Sequence, residues 1–405
     1  MSPFDLEKFS SLLDTSEKRL ERTEFGFERY LEPEIEWDLP LIILKGPRGS
    51  GKTTLLLQRA ERLKKQRKRA VYVSLDHPHF ESLRLYDFAE ALVKEGYAFL
   101  FVDEVHKYPF WSKDLKAIYD SLPDLKVVAS GSSILNLIHG EADLSRRAAS
   151  YKLPGLSFRE YLQFKGVLNH KAVPLENILK SHRNISEKIS SEITVLQHFR
   201  AYLKHGYYPF FMESVSQYPD RLLRTINTVF ENDIPAFENV DYQTVRNLKK
   251  MLYYISQSVP STPNITELAG KVGTSRPNLL RMLDFMERGD VILQLRSAAK
   301  SVSKMAKPEK IYLQNTNMSY VYQSQKPDVG QMRETFFFNQ LSVKHKVTAP
   351  RYGDFMIDAT YVFEIGGPSK MQDQILGVPH GFVAADGIAQ SSANRIPLWL
   401  FGFLY

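Results

Sequence analysis

The stretch Gly46-Pro47-Arg48-Gly49-Ser50-Gly51-Lys52-Thr53 fits G-x-x-x-x-G-K-[ST] at every fixed position, and no other feature of this chain restricts its fold so tightly. Glycines let the backbone wrap an anion, successive N–H groups and a helix N-terminus face it, and the lysine adds a point charge. Such a loop requires a strand before it and a helix after it. Leu41-Ile42-Ile43-Leu44 reads as the buried strand, and Thr54-Leu55-Leu56-Leu57-Gln58-Arg59-Ala60 is built from good helix formers. The expectation is a phosphate-binding loop made by Gly46, Pro47, Arg48, Gly49, Ser50, Gly51, Lys52, Thr53 and Thr54, taking ATP, with the Thr53 hydroxyl on Mg²⁺.

Strand-like runs recur downstream at Val71–Leu75, Ala98–Val102 and Lys126–Ser130, separated by helical stretches. A spacing of roughly 25–30 residues is that of βαβ units, which predicts a parallel sheet with helices on both faces. The third run ends in Asp103-Glu104. Asp103 is placed to orient Mg²⁺ and Glu104 to polarise an attacking water, the pair that separates hydrolysis from binding alone. The fourth run enters Ser130-Gly131-Ser132-Ser133, where a hydroxyl could sense the terminal phosphate or hold the water, although Ser-Gly-Ser is also ordinary turn chemistry. Asp143-Leu144-Ser145-Arg146-Arg147 follows; Arg146 or Arg147 could reach a neighbouring subunit's nucleotide, and the spacing fits a surface salt bridge equally well.

Taken in order with Leu156-Ser157-Phe158-Arg159-Glu160-Tyr161-Leu162, these motifs resemble the AAA+ superfamily. More narrowly they resemble prokaryotic ATPases that join such a core to a winged helix and a nuclease-like C-terminal domain. The resemblance implies an α/β core with sheet order 5-1-4-3-2, Arg146 or Arg147 as an arginine finger, Ser132 or Ser130 as the sensor, and ring-like oligomers.

A chain of 405 residues exceeds what one core organises, so several domains are expected. The division read here is 1–165 for the ATPase core with a lead-in helix, 166–250 for a helical connection broken at Gly206-Tyr207-Tyr208-Pro209, 251–315 for a winged helix, and 316–405 for a small α/β domain. No apolar run approaches the ~20 residues of a membrane span. The start, Met1-Ser2-Pro3-Phe4-Asp5-Leu6-Glu7, lacks the regions of a signal peptide, so a cytoplasmic protein with no membrane partner is expected. The absence of cysteine excludes disulfides and Cys-ligated zinc. Histidines 77, 79 and 106 have no third ligand spaced with them and read as ordinary hydrogen-bonded groups. The run Lys64-Lys65-Gln66-Arg67-Lys68-Arg69 suits the C-terminal end of the helix after the loop. A net charge of +7 favours an acidic partner only slightly.

In 251–315, Ile265–Ala269 and Asn278–Met286 read as helices around the turn Val272-Gly273-Thr274-Ser275, and Val291–Leu295 as a strand. Ser275 would cap the second helix, with Arg276, Asn278 and Arg281 on its early turns where a recognition helix meets DNA, and Lys300, Lys304, Lys307 and Lys310 around the wing. A structural or protein-docking use of the same unit stays open. Further on, Glu334 on a helix, Asp358 at a strand end and Glu364 on the next strand resemble the acidic set of restriction-endonuclease-like nucleases, with Gln372 or Gln374 following. The resemblance implies that two of these acids hold a metal and that a lysine two positions after the last one activates water. Position 366 is glycine, so that amine is missing unless Lys370 reaches back, and a structural or DNA-gripping domain is the favoured reading. The apolar end, Pro397–Leu404, is expected to be a buried strand.

Together these readings describe an oligomeric, Mg-dependent ATPase acting on DNA in repair, recombination or branch migration. The alternatives are a nucleotide-gated signalling or defence switch and an ATP-regulated nuclease.

Overall fold

The computed structural model describes residues 8–133, 144, 146–237, 240–258, 263–298, 307–323, 327–371, 375–392 and 395–405. Asp143, Ser145, Lys300, Lys304, Gln372 and Gln374, singled out above, lie outside the described residues. The chain divides into two compact units, the first made of 1–155 with 233–239, the second of 156–232 with 240–405.

In the first unit, helix α1 (Ser10–Glu21) precedes β1 (Leu41–Gly46), α2 (Lys52–Lys65), β2 (Ala70–Ser74), α3 (Leu85–Lys94), β3 (Phe99–Asp103), α4 (Trp111–Ser121), β4 (Lys126–Ser132) and β5 (Ala149–Lys152). All five strands are parallel, in the order β2-β3-β4-β1-β5. This is the expected 5-1-4-3-2 sheet. Every residue of β1 and β3 is buried, as a strand covered on both faces must be. Their alternate side chains feed two cores. Ile43, Leu100, Val102 and Val127 pack with Leu85, Phe88 and Leu92 of α3 on one face, whereas Ile42, Leu44, Phe101 and Val128 meet Leu55, Leu56 and Ala60 of α2 on the other. Among the described residues of the lead-in segment, helix is confined to α1 and a short turn at Glu32–Glu34. At the C-terminal end of α2 and just beyond it, Lys64 pairs with Glu17, Lys68 lies over Phe99 and Arg69 over Tyr97.

The second unit begins with α5 (Phe158–Phe164), whose N-terminus carries a capping box between Ser157 and Glu160. There follow α6 (Leu175–Glu192), α7 (Val195–His205), α8 (Tyr218–Thr228), α9 (Tyr242–Gln257), α10 (Ile265–Val272) and α11 (Arg276–Arg288). Strands β6 (Ile292–Leu295) and β7 (Lys310–Leu313) form an antiparallel pair. Two further helices, α12 (Thr316–Tyr322) and α13 (Val329–Leu341), lead into a sheet of β8 (Val347–Thr348), β9 (Phe355–Ile357), β10 (Tyr361–Gly366), β11 (Gly381–Ala385) and β12 (Arg395–Pro397), in chain order across the sheet. The expected C-terminal strand is only this short β12. Leu398–Phe403 instead coil into a 3₁₀ turn with all six residues buried. Gly402 also approaches α5 so closely that a Cβ there would lie 2.5 Å from that of Phe158.

Candidate functional site

The loop after β1 is shaped by its glycines. Gly49 and Gly51 adopt φ of +79° and +94°, and a Cβ on Gly46 would sit 2.2 Å from the Leu153 carbonyl oxygen. Gly51 is also the N-cap of α2 and supplies no side-chain cap, so the helix start keeps its amide donors for a ligand. Lys52 is buried, and its Nζ donates to the carbonyls of Gly46 at 2.8 Å and Pro47 at 3.0 Å. Burial lowers the Lys52 pKa, opposed by the negative charges of Glu104 and Asp103. Thr54 lies exposed on the first turn of α2. Ser50 is held from behind, where Arg29 donates to its carbonyl oxygen and to those of Pro154 at 2.8 Å and Gly155 at 3.0 Å.

Asp103, at the end of β3, is buried and held by four donors. Thr53 Oγ1 donates to its Oδ2 at 2.6 Å and Tyr72 Oη at 2.9 Å, while Ser130 Oγ and the Glu104 amide, at 3.0 Å, donate to Oδ1. The hydroxyl and carboxylate expected to hold Mg²⁺ are thus already in contact, and both are hard oxygen donors of the kind that ion selects. The residues present fit a Mg-bound nucleotide. Ser130 is committed to Asp103, which leaves Ser132 as the hydroxyl facing the loop's other side chains.

Those side chains form a second cluster. Arg48 clasps Asp233 through two bonds, Nε to Oδ2 at 2.8 Å and Nη2 to Oδ1 at 2.7 Å, and Ser132 Oγ donates to the same Oδ2 at 3.0 Å. Asp233 is wholly buried, so removing Arg48 would strand a charge at a cost of about 3–5 kcal/mol. Glu104 lies 3.9 Å from Arg48 and 3.2 Å from His106 Nε2. Its backbone is left-handed, φ +53°, a strained setting for a non-glycine residue beside a reaction site. Burial raises the Glu104 pKa against the pull of Lys52 and Arg48, favouring a group that accepts protons more readily than an exposed carboxylate. Burial also pushes His106 down to about 4, so it is neutral at physiological pH.

Tyr72, His106 and Asp233 escape any reading of the sequence as members of this site. His106 reads from the sequence as an ordinary hydrogen-bonded group, and among the described residues no three His, Asp or Glu side chains are grouped to hold a metal ion. His77 and His79 stack at 4.9 Å, with the His79 amide donating to His77 Nδ1 at 3.3 Å and His79 Nε2 2.6 Å from the Ser11 hydroxyl. Asp233 sits in a helical stretch with no flanking motif to single it out. Of the two arginines, Arg147 is bound within its own chain, donating to Asp120 at 2.9 and 3.1 Å, whereas Arg146 is exposed.

In the second unit, α10 and α11 are followed by the antiparallel β6–β7 pair. Ser275 caps α11 by accepting from the Asn278 amide at 3.4 Å. Ser275, Arg276, Asn278 and Arg281 are all exposed, with Arg281 over the Phe285 ring. Lys310 is not a wing charge. It donates to Glu334 Oε2 at 2.9 Å and reaches Asp354 Oδ1 at 3.4 Å, and Tyr312 also donates to Glu334 at 2.6 Å.

The acidic set differs from expectation in the same place. Asp358 has φ +49° and turns its carboxylate to the Lys346 amide at 2.8 Å and the His345 ring at 2.7 Å, away from the other acids. Asp354 takes its place, since its Oδ2 accepts from the Ile365 amide at 2.9 Å next to Glu364. Glu364 is buried, which raises its pKa against the pull of Lys370, whose Nζ lies 2.5 Å away. Gly366 leaves room for that lysine: a Cβ at 366 would meet the Lys370 stem at 2.4 Å.

Residues 38–162 match the family model of an AAA domain, and residues 196–322 match that of a domain of unknown function, DUF8612. No curated protein sequence is significantly similar to the chain. Among solved structures, AMPPCP-bound DnaA from Aquifex aeolicus is 16% identical with a TM-score of 0.24, over 71% of this chain and 89% of that one. The Hsp104-ADP complex of S. cerevisiae is 16% identical with a TM-score of 0.29, over 68% and 46%. A structure of katanin self-assembly is 16% identical with a TM-score of 0.27, over 53% and 85%. No helix among the described residues is long and apolar enough to cross a membrane.

Proposed function

We propose, from the premise that residues 38–162 form an AAA domain with a P-loop sheet, that this unit is a Mg-dependent ATPase whose turnover acts on DNA. The observation that carries the reading is the 2.6 Å contact of Thr53 with Asp103, with Glu104 adjoining it across from Lys52. Thr53 and Asp103 would hold the ion, which when bound neutralises phosphate charge. Lys52 and the N-terminus of α2 bind and orient the phosphates. Glu104 holds the proton-accepting position for a water. Arg146, exposed near the end of the core, is the residue available to a neighbouring copy, which supports turnover in an oligomer.

The DNA half of the reading is supported by the winged-helix order of α10, α11, β6 and β7, with Arg276, Asn278 and Arg281 exposed at the start of α11. ATP turnover measured with and without duplex, forked and four-way DNA, across protein concentration and salt, tests both halves. Stimulation by DNA that weakens as salt rises supports the DNA role. Turnover indifferent to every DNA favours a nucleotide-gated switch with this unit as a protein interface. Turnover that survives Lys52→Ala sinks the ATPase assignment itself.

A nuclease reading is favoured by one observation, the Lys370 amine brought to Glu364 over Gly366. Against it, the Lys310 ammonium sits between Glu334 and Asp354, where a divalent cation would be needed. A structural or DNA-gripping role for this domain accounts for both lysines.

A further inference from the structure

Asp233 belongs to no motif, yet it is placed at the centre of the loop's donors. It ends a π-helical turn, Val229–Asp233, a local widening that re-aims the side chains around it. Both of its oxygens are engaged, by the Arg48 guanidinium fork and by the Ser132 hydroxyl. Arg48 is the third residue of the phosphate loop, and Ser132 lies level with Gly46 in the neighbouring strand. A guanidinium fork and a hydroxyl are also the donors that phosphoryl oxygens recruit. Asp233 therefore offers them, from the protein's own chain, the acceptor chemistry of a phosphate.

We infer that Asp233 is a positioning residue that stands in for the terminal phosphoryl group, holding Arg48 and Ser132 until a nucleoside triphosphate takes them over. The inference rests on the nucleotide-binding reading of Gly46–Thr53. When the terminal phosphate recruits Arg48 and Ser132, a buried carboxylate loses its partners. An unpaired buried charge is strongly disfavoured, so Asp233 has to leave its place. That cost falls on triphosphate binding. A diphosphate has no group to compete for these two donors and bears no such cost, so Asp233 sets how the loop discriminates between the two and ties its own departure to the triphosphate.

The test uses the full chain and its Asp233→Asn variant, with Mg-AMPPCP and Mg-ADP titrated calorimetrically. The amide keeps the shape and the acceptor for Ser132 but loses the charge that holds Arg48. Triphosphate binding should tighten about ten-fold, the scale of one charge-assisted hydrogen bond, while ADP affinity stays within about two-fold. In the unaltered protein, hydrogen exchange at the amides of 229–237 should quicken with AMPPCP and not with ADP. This second arm needs no variant and decides the question if the Asn protein does not fold. Equal shifts for both nucleotides, weaker triphosphate binding in the variant, or exchange blind to the terminal phosphate would overturn the inference. Wild-type protein that binds neither nucleotide removes the underlying reading as well. Binding that is lost in Lys52→Ala, with no discrimination at Asp233, removes this inference alone.

Discussion

The two units each bring carboxylates and lysines together, but the carboxylates are held by different kinds of donor. Around Asp103 the partners are neutral, two hydroxyls from Thr53 and Ser130, a phenol from Tyr72 and one backbone amide. Lys52 leans back onto the carbonyls of its own loop, and no cation among the described residues is hydrogen-bonded to Asp103. In the second unit Lys310 bridges Glu334 and Asp354, and Lys370 is paired with Glu364. A carboxylate kept in place by neutral donors retains its charge for a metal ion, whereas one already paired with an ammonium has spent it. The presence of acids in a fold is therefore a poor guide to chemistry unless what neutralises them is known.

The largest effect that would sharpen this contrast is at Glu104. Glu104→Gln should lower kcat for ATP by about 100-fold or more, the range of a lost general base, with AMPPCP affinity nearly unchanged. Steady-state turnover set beside calorimetric binding separates the two, and equal losses in both would move Glu104 from chemistry to binding.

His106 gives the next effect, through pH. Its pKa is about 4 in the folded protein against an ordinary 6.5, so the unfolded chain takes the proton first as pH falls. The stability tied to the neutral ring is complete above pH 6.5 and is lost progressively between 6.5 and 4. At pH 5 the loss is about 2 kcal/mol. Urea midpoints at pH 7 and pH 5 should therefore diverge more in wild type than in His106→Gln; identical pH dependence would show that the ring is not held neutral by the fold.

At Lys310 the comparison can be broken directly. Lys310→Met should cost about 1–2 kcal/mol by leaving Glu334 and Asp354 unpaired, and should let Mn²⁺ bind where the wild type does not. Calorimetry with Mn²⁺ alone reads this. A wild-type protein that binds Mn²⁺ there, and loses it when Asp354 becomes Asn, would make the second unit a metal site like the first.

The smallest effect is expected at Arg147. Its pairing with Asp120 is partly exposed, so Arg147→Ala should change the thermal midpoint by less than about 1 kcal/mol equivalent and leave turnover intact, while Arg146→Ala should lower turnover. The reverse pattern would exchange their roles.

Much of the first unit was legible in advance because its signals are local. A loop with φ above zero at Gly49 and Gly51 needs glycine there, and strands buried on both faces need unbroken apolar runs such as Leu41–Leu44 and Phe99–Val102. The strand β5, Ala149-Ser150-Tyr151-Lys152, gave no such signal because as an edge strand it is only partly buried. Asp354 and Asp358 flank the same short strand, and nothing local in the sequence shows that the left-handed backbone of Asp358 turns its carboxylate to the Lys346 amide.

The chain's local chemistry thus determined a phosphate loop, its Asp103-Glu104 partner and the parallel sheet beneath them, since each depends on neighbours within a few residues. Folding alone decided that Asp233 would meet Arg48 and Ser132, that Lys370 would cross Gly366, and that Lys310 would occupy the gap between two carboxylates. Those pairings join residues far apart in sequence, and a charged group's behaviour is set by which partner the fold brings within a few ångströms of it.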